Sequence, residues 1–504
     1  MVLWRGGGTA LKFYPNYIDG QWVEAKSGRR YQSINPANGE VLGEVALSGP
    51  EDVDAAVEAA RKAFESWRLY PAPKRGEILF RAAEILVRRK EELARMLTRE
   101  MGKVLPEARG DVQEAIDIAY YMAAEGRRQF GHTVPSELPD KFAFSVREPI
   151  GVVGIITPWN FPTAIPFWKM MPALILGNTV VFKPASDTPI MAALLVEVLE
   201  EAGIPKGVVN LVYGPGDTVG EALIRHPHVQ LISFTGSVES GKHVAVTAAQ
   251  HGMKRVTLEL GGKNAIIVLE DANLDLAVDG IIWSAFGTTG QRCTAASRVI
   301  VQRSVAKKLE EKLVERISKL RLGDGLLETT DVGPLIHTRA RDKVHMYVEI
   351  GKQEGARLVV GGEPAMEGEL AKGAFYKPTL FAEVKPDMRI AQEEIFGPVL
   401  ALIPVDTMEE AIKVNNSVQY GLSSAMYTQD VNKAFKAIRD LATGIVYINA
   451  GTIGAEIHLP FGGYRNTGNG HREAGQAALD AYSEWKSVYV DYSGRLQRAQ
   501  IDNQ

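Results

Sequence analysis

A lone cysteine, Cys293, stands in the run Gly287-Thr288-Thr289-Gly290-Gln291-Arg292-Cys293-Thr294-Ala295 of a 504-residue chain. One cysteine makes neither an intrachain disulfide nor a multi-cysteine metal site. Two roles remain: a small buried hydrophobe or a reactive thiol. The neighbours favour the thiol. The residues before it are loop-forming and polar, and the charge of Arg292 is expected to favour a thiolate. A second misplaced residue is Glu259, a carboxylate inside the apolar run 256–260. Burying such a group is costly unless it is paired or functional.

A third feature concerns phosphate. The stretch Phe234-Thr235-Gly236-Ser237-Val238-Glu239-Ser240-Gly241-Lys242 follows a strand-like run and opens a helical one. Its spacing resembles a P-loop, but His243 stands where magnesium binding needs Ser or Thr, which speaks against a triphosphatase. The strict G-x-G-x-x-G dinucleotide fingerprint is missing from the place the Rossmann rule requires. Gly236 and Ser237 still offer backbone N–H groups to a phosphate at a helix N-terminus. A plain capped turn is the other reading.

The elements around these residues alternate. Residues 51–68 put Val53, Ala56, Val57, Ala60, Phe64 and Trp67 on one helical face, and further helices are expected over 74–100 and 105–129. From residue 151, strands at 152–157, 179–183, 208–213, 231–235 and 256–260 alternate with helices near 162–176, 188–203, 217–225 and 237–251. This predicts a parallel, doubly wound sheet that binds ligands at its carboxyl edge. A second α/β series starts at 264–269 and runs past Cys293 towards residue 470. The fold class is therefore α/β, with two doubly wound domains. Segments 142–147 and 485–492 are strand-like, lie outside both series, and are expected to pair as an extension reaching another subunit. The assignment is 1–132 and 152–262 for a dinucleotide-binding domain, 263–478 for a catalytic domain, 133–151 and 479–492 for oligomerisation strands, and 493–504 for a tail.

Composition narrows the function classes. With 45% hydrophobic and 23% charged residues the chain buries a large core, and a net charge of -4 gives no support to nucleic-acid or membrane-surface binding. No apolar run reaches the roughly 18 residues of a membrane span. The glycine-rich stretch 1–14 lacks a signal peptide's apolar block, and an unpartnered thiol suits a reducing, cytoplasmic home.

Further motifs in order decide the kinship: Pro158-Trp159-Asn160-Phe161-Pro162, Lys169, Pro172-Ala173-Leu174, Gly177-Asn178-Thr179, Lys183-Pro184-Ala185-Ser186, Leu258-Glu259-Leu260-Gly261-Gly262-Lys263-Asn264, then Cys293, then Glu393-Glu394-Ile395-Phe396-Gly397-Pro398. In this order they resemble the aldehyde dehydrogenase superfamily from about residue 17 to 492. The resemblance implies NAD(P)-dependent oxidation of an aldehyde to a carboxylic acid. Cys293 matches the nucleophile, Asn160 the side-chain donor to the oxyanion, Glu259 the base that activates water, and Lys169 a tuning residue close by. Ile156, Trp159, Lys183, Ser186, Gly236, Ser237, Glu394 and Phe396 match cofactor-binding positions. Serine at 186 lacks the charge that repels a 2′-phosphate, so NAD is expected with NADP accepted. No metal is called for. A homodimer or homotetramer is the family expectation.

The aldehyde is less defined. Arg292 and the loop 449–456 resemble branches that oxidise amino-acid semialdehydes, where such an arginine receives the substrate's carboxylate; a structural salt bridge is its other reading. Phe161, Trp168, Ile453 and Phe461 are expected to line an apolar pocket that would equally suit broad aliphatic or aromatic aldehydes. The loop departs from the semialdehyde pattern at Ile457-His458-Leu459-Pro460. Two alternatives stay open: a coenzyme A-acylating relative, against which Glu259 argues, and a redox-silent binding protein on the same fold. The tail is expected to be free, or to lie over a neighbouring groove and restrict entry to the substrate tunnel.

Overall fold

The computed structural model describes residues 11–502. The opening glycine-rich stretch, for residues 1–10, and residues 503–504 lie outside the described residues. After short strands between Phe13 and Ala46, three helices follow: Pro50–Trp67, Ala72–Met101 and Leu105–Glu125. The first is started by Pro50 at its first turn and by the Asp52 carboxylate, which accepts the Gly49 N–H at 3.0 Å. The second ends on Gly102 in the left-handed conformation. Val53, Ala56, Val57, Ala60 and Trp67 are buried on the face expected for them.

The first large sheet has seven strands in the order 255–259, 231–235, 152–156, 179–183, 209–211, 16–18, 21–23. Its five α/β strands run parallel, and the two N-terminal strands pair antiparallel at one edge. The strands Val152–Ile156 and Thr179–Lys183 are buried at every position, as strands covered on both faces must be. Chain order reverses between Val152–Ile156 and Leu231–Thr235, so the loops leaving these two strands diverge and open a crevice. Trp159 and Asn160 follow the first; Gly236 and Ser237 follow the second.

A second seven-stranded sheet has the order 357–360, 379–382, 399–405, 296–302, 264–268, 423–427, 445–448 and is parallel but for its first member. Only the loop 260–263 separates the last strand of the first sheet from the first strand of the second. The carboxyl edge of one sheet thereby faces the amino edge of the other. Glu259 ends the strand Arg255–Glu259, and Cys293 lies just before the strand Ala296–Gln302.

The strand-like segments 142–147 and 485–492 do pair: Lys141–Pro149 runs antiparallel to Ser483–Asp491, with Thr133–Pro135 on the other side. The tail is packed rather than free. Gln497 Nε2 donates to Pro139 O at 2.7 Å, and Gln500 N to Glu137 at 3.1 Å. Tail residues 493–502 thus rest on the small sheet of their own chain, and none of them walls the cavity at Cys293. No helix among the described residues is long and apolar enough to cross a membrane.

Candidate active site

Cys293 is carried by a tight turn that its sequence alone would not hold. Thr288 and Thr289 both have positive φ, 52° and 57°, a conformation costing a β-branched residue roughly 1–3 kcal/mol. The surroundings impose it. The Thr288 N–H donates to Glu107 at 2.8 Å, Thr289 Oγ1 donates to Gly333 O at 2.9 Å, and Gln291 Oε1 accepts from the Ile336 N–H at 3.0 Å. Gly290, φ 71°, presses on Gly397; a Cβ there would lie 2.1 Å from the Gly397 carbonyl oxygen. Asn264 fastens the other side, donating to Cys293 O at 2.7 Å and Ala295 O at 2.9 Å.

Cys293 forms part of the wall of two separate spaces. One, of about 60 Å³, is enclosed by Phe161, Trp168, Glu259, Arg292, Phe461 and Glu473, with Glu114 at its side. The other, of about 270 Å³, is the crevice between the reversed strands. Trp159, Asn160, Gly236, Ser237, Glu394 and Phe396 wall it, with Lys343 beside them. The Trp159 and Phe396 rings meet edge to face at 5.6 Å. Glu394 accepts the Gly262 N–H at 3.1 Å, and a Cβ on Gly261 would lie 2.3 Å from its carboxylate, so a side chain there would have to displace that carboxylate. Ser237 caps the helix Val238–Gln250 through the Ser240 N–H at 3.1 Å. Ile156 pairs with Lys183 in strand register; the Lys183 ammonium is buried, donates to Pro184 O at 2.8 Å, and is lowered to about 8 by burial.

The electrostatics are those of a dry site crowded with carboxylates. Burial first, then Glu259, Glu394 and Glu473, push the Cys293 thiol well above its ordinary value. Burial and the Glu473 charge also raise Glu259 well above the carboxylate range, with Lys169 and Arg472 opposing. Lys169 is fully buried and ion-paired with Glu473, and it donates to Ser233 Oγ at 3.1 Å. Asn160 Nδ2 donates to Gln291 O at 3.1 Å, which uses one of its two hydrogens; its Oδ1 is buried without a partner.

The amino-acid sequence matches the model of the aldehyde dehydrogenase family over residues 22–488. The chain belongs to the aldehyde dehydrogenase family. It is 45% identical to the alpha-ketoglutaric semialdehyde dehydrogenase of Bacillus subtilis, over 96% of this chain and 99% of that one. It is 41% identical to the 2,5-dioxopentanoate dehydrogenase of Saccharolobus solfataricus, over 95% and 99%. Among solved structures it is similar to betaine aldehyde dehydrogenase from Staphylococcus aureus in complex with NAD+, with TM-score 0.94 and 38% identity over 96% and 95% of the two chains.

Against this aldehyde dehydrogenase fold, three sequence expectations change. Arg292 does not activate the thiol. Its Nε donates to Thr288 Oγ1 at 3.0 Å, and its guanidinium lies 3.8 Å from Glu107 and 5.1 Å from the Phe161 ring. The charge is thus spent on the turn and on the cavity wall. Ile453 is buried behind the wall, which Gly454 and Ala455 form instead. Ser186 faces a different cavity, of about 310 Å³, beside Asp187 and His337. Sequence reasoning missed Glu473, Glu114, Glu107 and Lys343. Each is an ordinary charged residue on a polar stretch, and only the packing of distant segments puts it at the site.

Proposed function

We propose that this aldehyde dehydrogenase oxidises an aldehyde carrying a distal carboxylate, 2,5-dioxopentanoate being the best candidate, to the corresponding acid with NAD as electron acceptor and NADP tolerated. The observation that carries the reading is the position of Cys293 between the two spaces, the aldehyde-sized one beside Arg292 and the longer crevice beside Glu394. The crevice residues fit a dinucleotide: glycines where a Cβ would intrude, N–H groups at a helix N-terminus, aromatic walls, and a buried carboxylate. Trp159, Lys183, Gly236, Ser237, Glu394 and Phe396 would hold it, and its chemistry there is to take up the two electrons released when aldehyde becomes acyl group.

The chain's own residues do the rest. Cys293 Sγ attacks the aldehyde carbon, and its proton leaves through Glu259 in its ionised form or through water. The resulting oxyanion meets the second Nδ2 hydrogen of Asn160 and the Cys293 backbone N–H. After oxidation the acyl group remains on Cys293 as a thioester. Glu259 takes a proton from water, the hydroxide adds to the thioester carbon, and the C–S bond breaks to release the acid and free Cys293. Lys169, paired with Glu473, opposes the rise in the Glu259 proton affinity. Arg292 receives the distal carboxylate. A cationic aldehyde such as betaine aldehyde would meet that guanidinium unfavourably. The small sheet, with Trp485, Tyr489 and Phe142 exposed, is where we expect a second subunit. The domain assignment follows the two sheets.

NADH formation with 2,5-dioxopentanoate, pentanal and betaine aldehyde tests this directly. Preference for the dicarbonyl acid supports it. Equal turnover of pentanal would make the protein a broad oxidiser, and preference for betaine aldehyde would overturn the anchor.

A further inference from the structure

Glu114 belongs to the helix Leu105–Glu125 and shares the small cavity with Cys293, Arg292, Phe161, Trp168 and Phe461. Among the described residues none hydrogen-bonds to its carboxyl. The groups around it are otherwise engaged. Asp111, one turn earlier, is paired with Lys103 at 3.0 Å and accepts the Thr163 hydroxyl and the Ala164 N–H. The Lys103 ammonium also rests on the Phe161 ring at 3.6 Å, and the Arg292 guanidinium approaches the same ring at 5.1 Å. Asp117 lies on the same helix, and the Tyr447 phenol of the strand Ile445–Ile448 feels the Glu114 charge. Glu259 and Glu473 line the same cavity. Burial, followed by the Asp111 charge, pushes Glu114 up to about 8, with Arg292 and Lys103 opposing. That shift favours the neutral acid, a donor, in the cavity that the Arg292 guanidinium also lines.

We propose that Glu114 is a specificity-determining residue: as the neutral acid it donates a hydrogen bond to the far end of the aldehyde beside Arg292, and on ionising it closes the cavity to anionic aldehydes. The inference rests on the reading that Arg292 anchors a carboxylate. An aldehyde with adjacent acceptors at its far end, a carboxylate next to an oxo group, satisfies both donors. Once ionised, Glu114 would repel that end and draw the guanidinium to itself.

The test is kcat/KM for 2,5-dioxopentanoate divided by kcat/KM for pentanal, measured with full-length protein and NAD from about pH 6.5 to about pH 9.5. Both aldehydes need Cys293 and Glu259, so the titration of those groups cancels in the ratio. The wild-type ratio is expected to fall roughly fivefold or more above about pH 8, and to stay flat in Glu114→Gln, whose amide remains a neutral donor. A wild-type ratio that is high at neutral pH and does not fall overturns the role of Glu114 alone, with no variant needed. A fall that persists in Glu114→Gln overturns it equally. A ratio near one at every pH overturns the carboxylate anchor itself.

Discussion

The side-chain amide of Asn264 donates to the carbonyl oxygen of Cys293 at 2.7 Å, tying the first strand of the second sheet to the nucleophile's own peptide. The same amide reaches Ala295 O, and its oxygen accepts the Ser423 N–H at 3.0 Å. One buried residue thus fixes where the thiol stands between the two spaces.

Replacing it by alanine leaves two buried carbonyls and one N–H unpaired. Asn264→Ala is expected to destabilise the protein by about 2–4 kcal/mol and to lower kcat at least tenfold. Denaturant unfolding and NADH formation check the two effects. A stable variant with full kcat would show that the turn holds the cysteine unaided.

Glu259→Gln separates the two halves of the reaction. The proposed base is needed to hydrolyse the thioester, so steady-state turnover is expected to fall roughly 10²–10⁴-fold. A rapid burst of NADH, one per active site, should survive in stopped-flow traces. Loss of the burst as well would show that Glu259, and not water, takes the Cys293 proton in the first half.

The pH profile follows from two groups shifted the same way. Burial and neighbouring carboxylates raise the Cys293 thiol, and burial with Glu473 raises Glu259. Both shifts favour the protonated forms, while both groups are proposed to work deprotonated. Turnover of pentanal is therefore expected to climb towards alkaline pH. Lys169→Met removes a cation that favours the Glu259 carboxylate, so its profile should rise at still higher pH. An acid optimum in the wild type would contradict the assignment.

Gly290→Ala tests the turn. Its Cβ would meet the Gly397 carbonyl at 2.1 Å from a backbone at φ 71°. A loss of about 2 kcal/mol or more is expected, with a clearly lowered Tm and little remaining activity. Calorimetry beside a turnover assay would detect it; an unchanged Tm would mean the turn relaxes freely.

Arg292→Met tests the anchor. Losing charge-assisted hydrogen bonds to a carboxylate is expected to raise KM for 2,5-dioxopentanoate about tenfold to a hundredfold, and KM for pentanal by no more than about threefold. Equal effects on both aldehydes would return Arg292 to a purely structural part, through Thr288 and Glu107.

Much of this is legible in the amino-acid sequence. Alternating strands and helices announced the doubly wound sheets, and two strand-like segments outside the series proved to pair. Cys293 and Glu259 stood out because each broke a local pattern, a thiol in a polar loop and a charge in an apolar strand. Glu473 breaks no pattern: its partner Lys169 is 304 residues away, and pairing over such distances leaves no periodic trace. Arg292 was misread for a related reason. Adjacency in sequence put its charge beside the thiol, whereas the turn at Thr288 and Thr289 directs it to Glu107 and the cavity wall. Ile453 was placed on the wall because it is apolar; it is buried behind the wall that its glycine neighbour forms.

The chain completes the first sheet's ligand edge early and returns to it only at the end. Lys169 waits for Glu473, and Asn178 donates to Tyr482 O at 2.8 Å, also 304 residues on. During synthesis, therefore, more than half the protein separates the buried Lys169 ammonium, on the helix Ala164–Ile175, from its counter-charge. A nascent chain that has made both Glu259 and Cys293 still lacks the carboxylate that completes their surroundings. A premature stop before residue 473 would leave Lys169 without Glu473 and the cavity at Cys293 without one of its lining carboxylates.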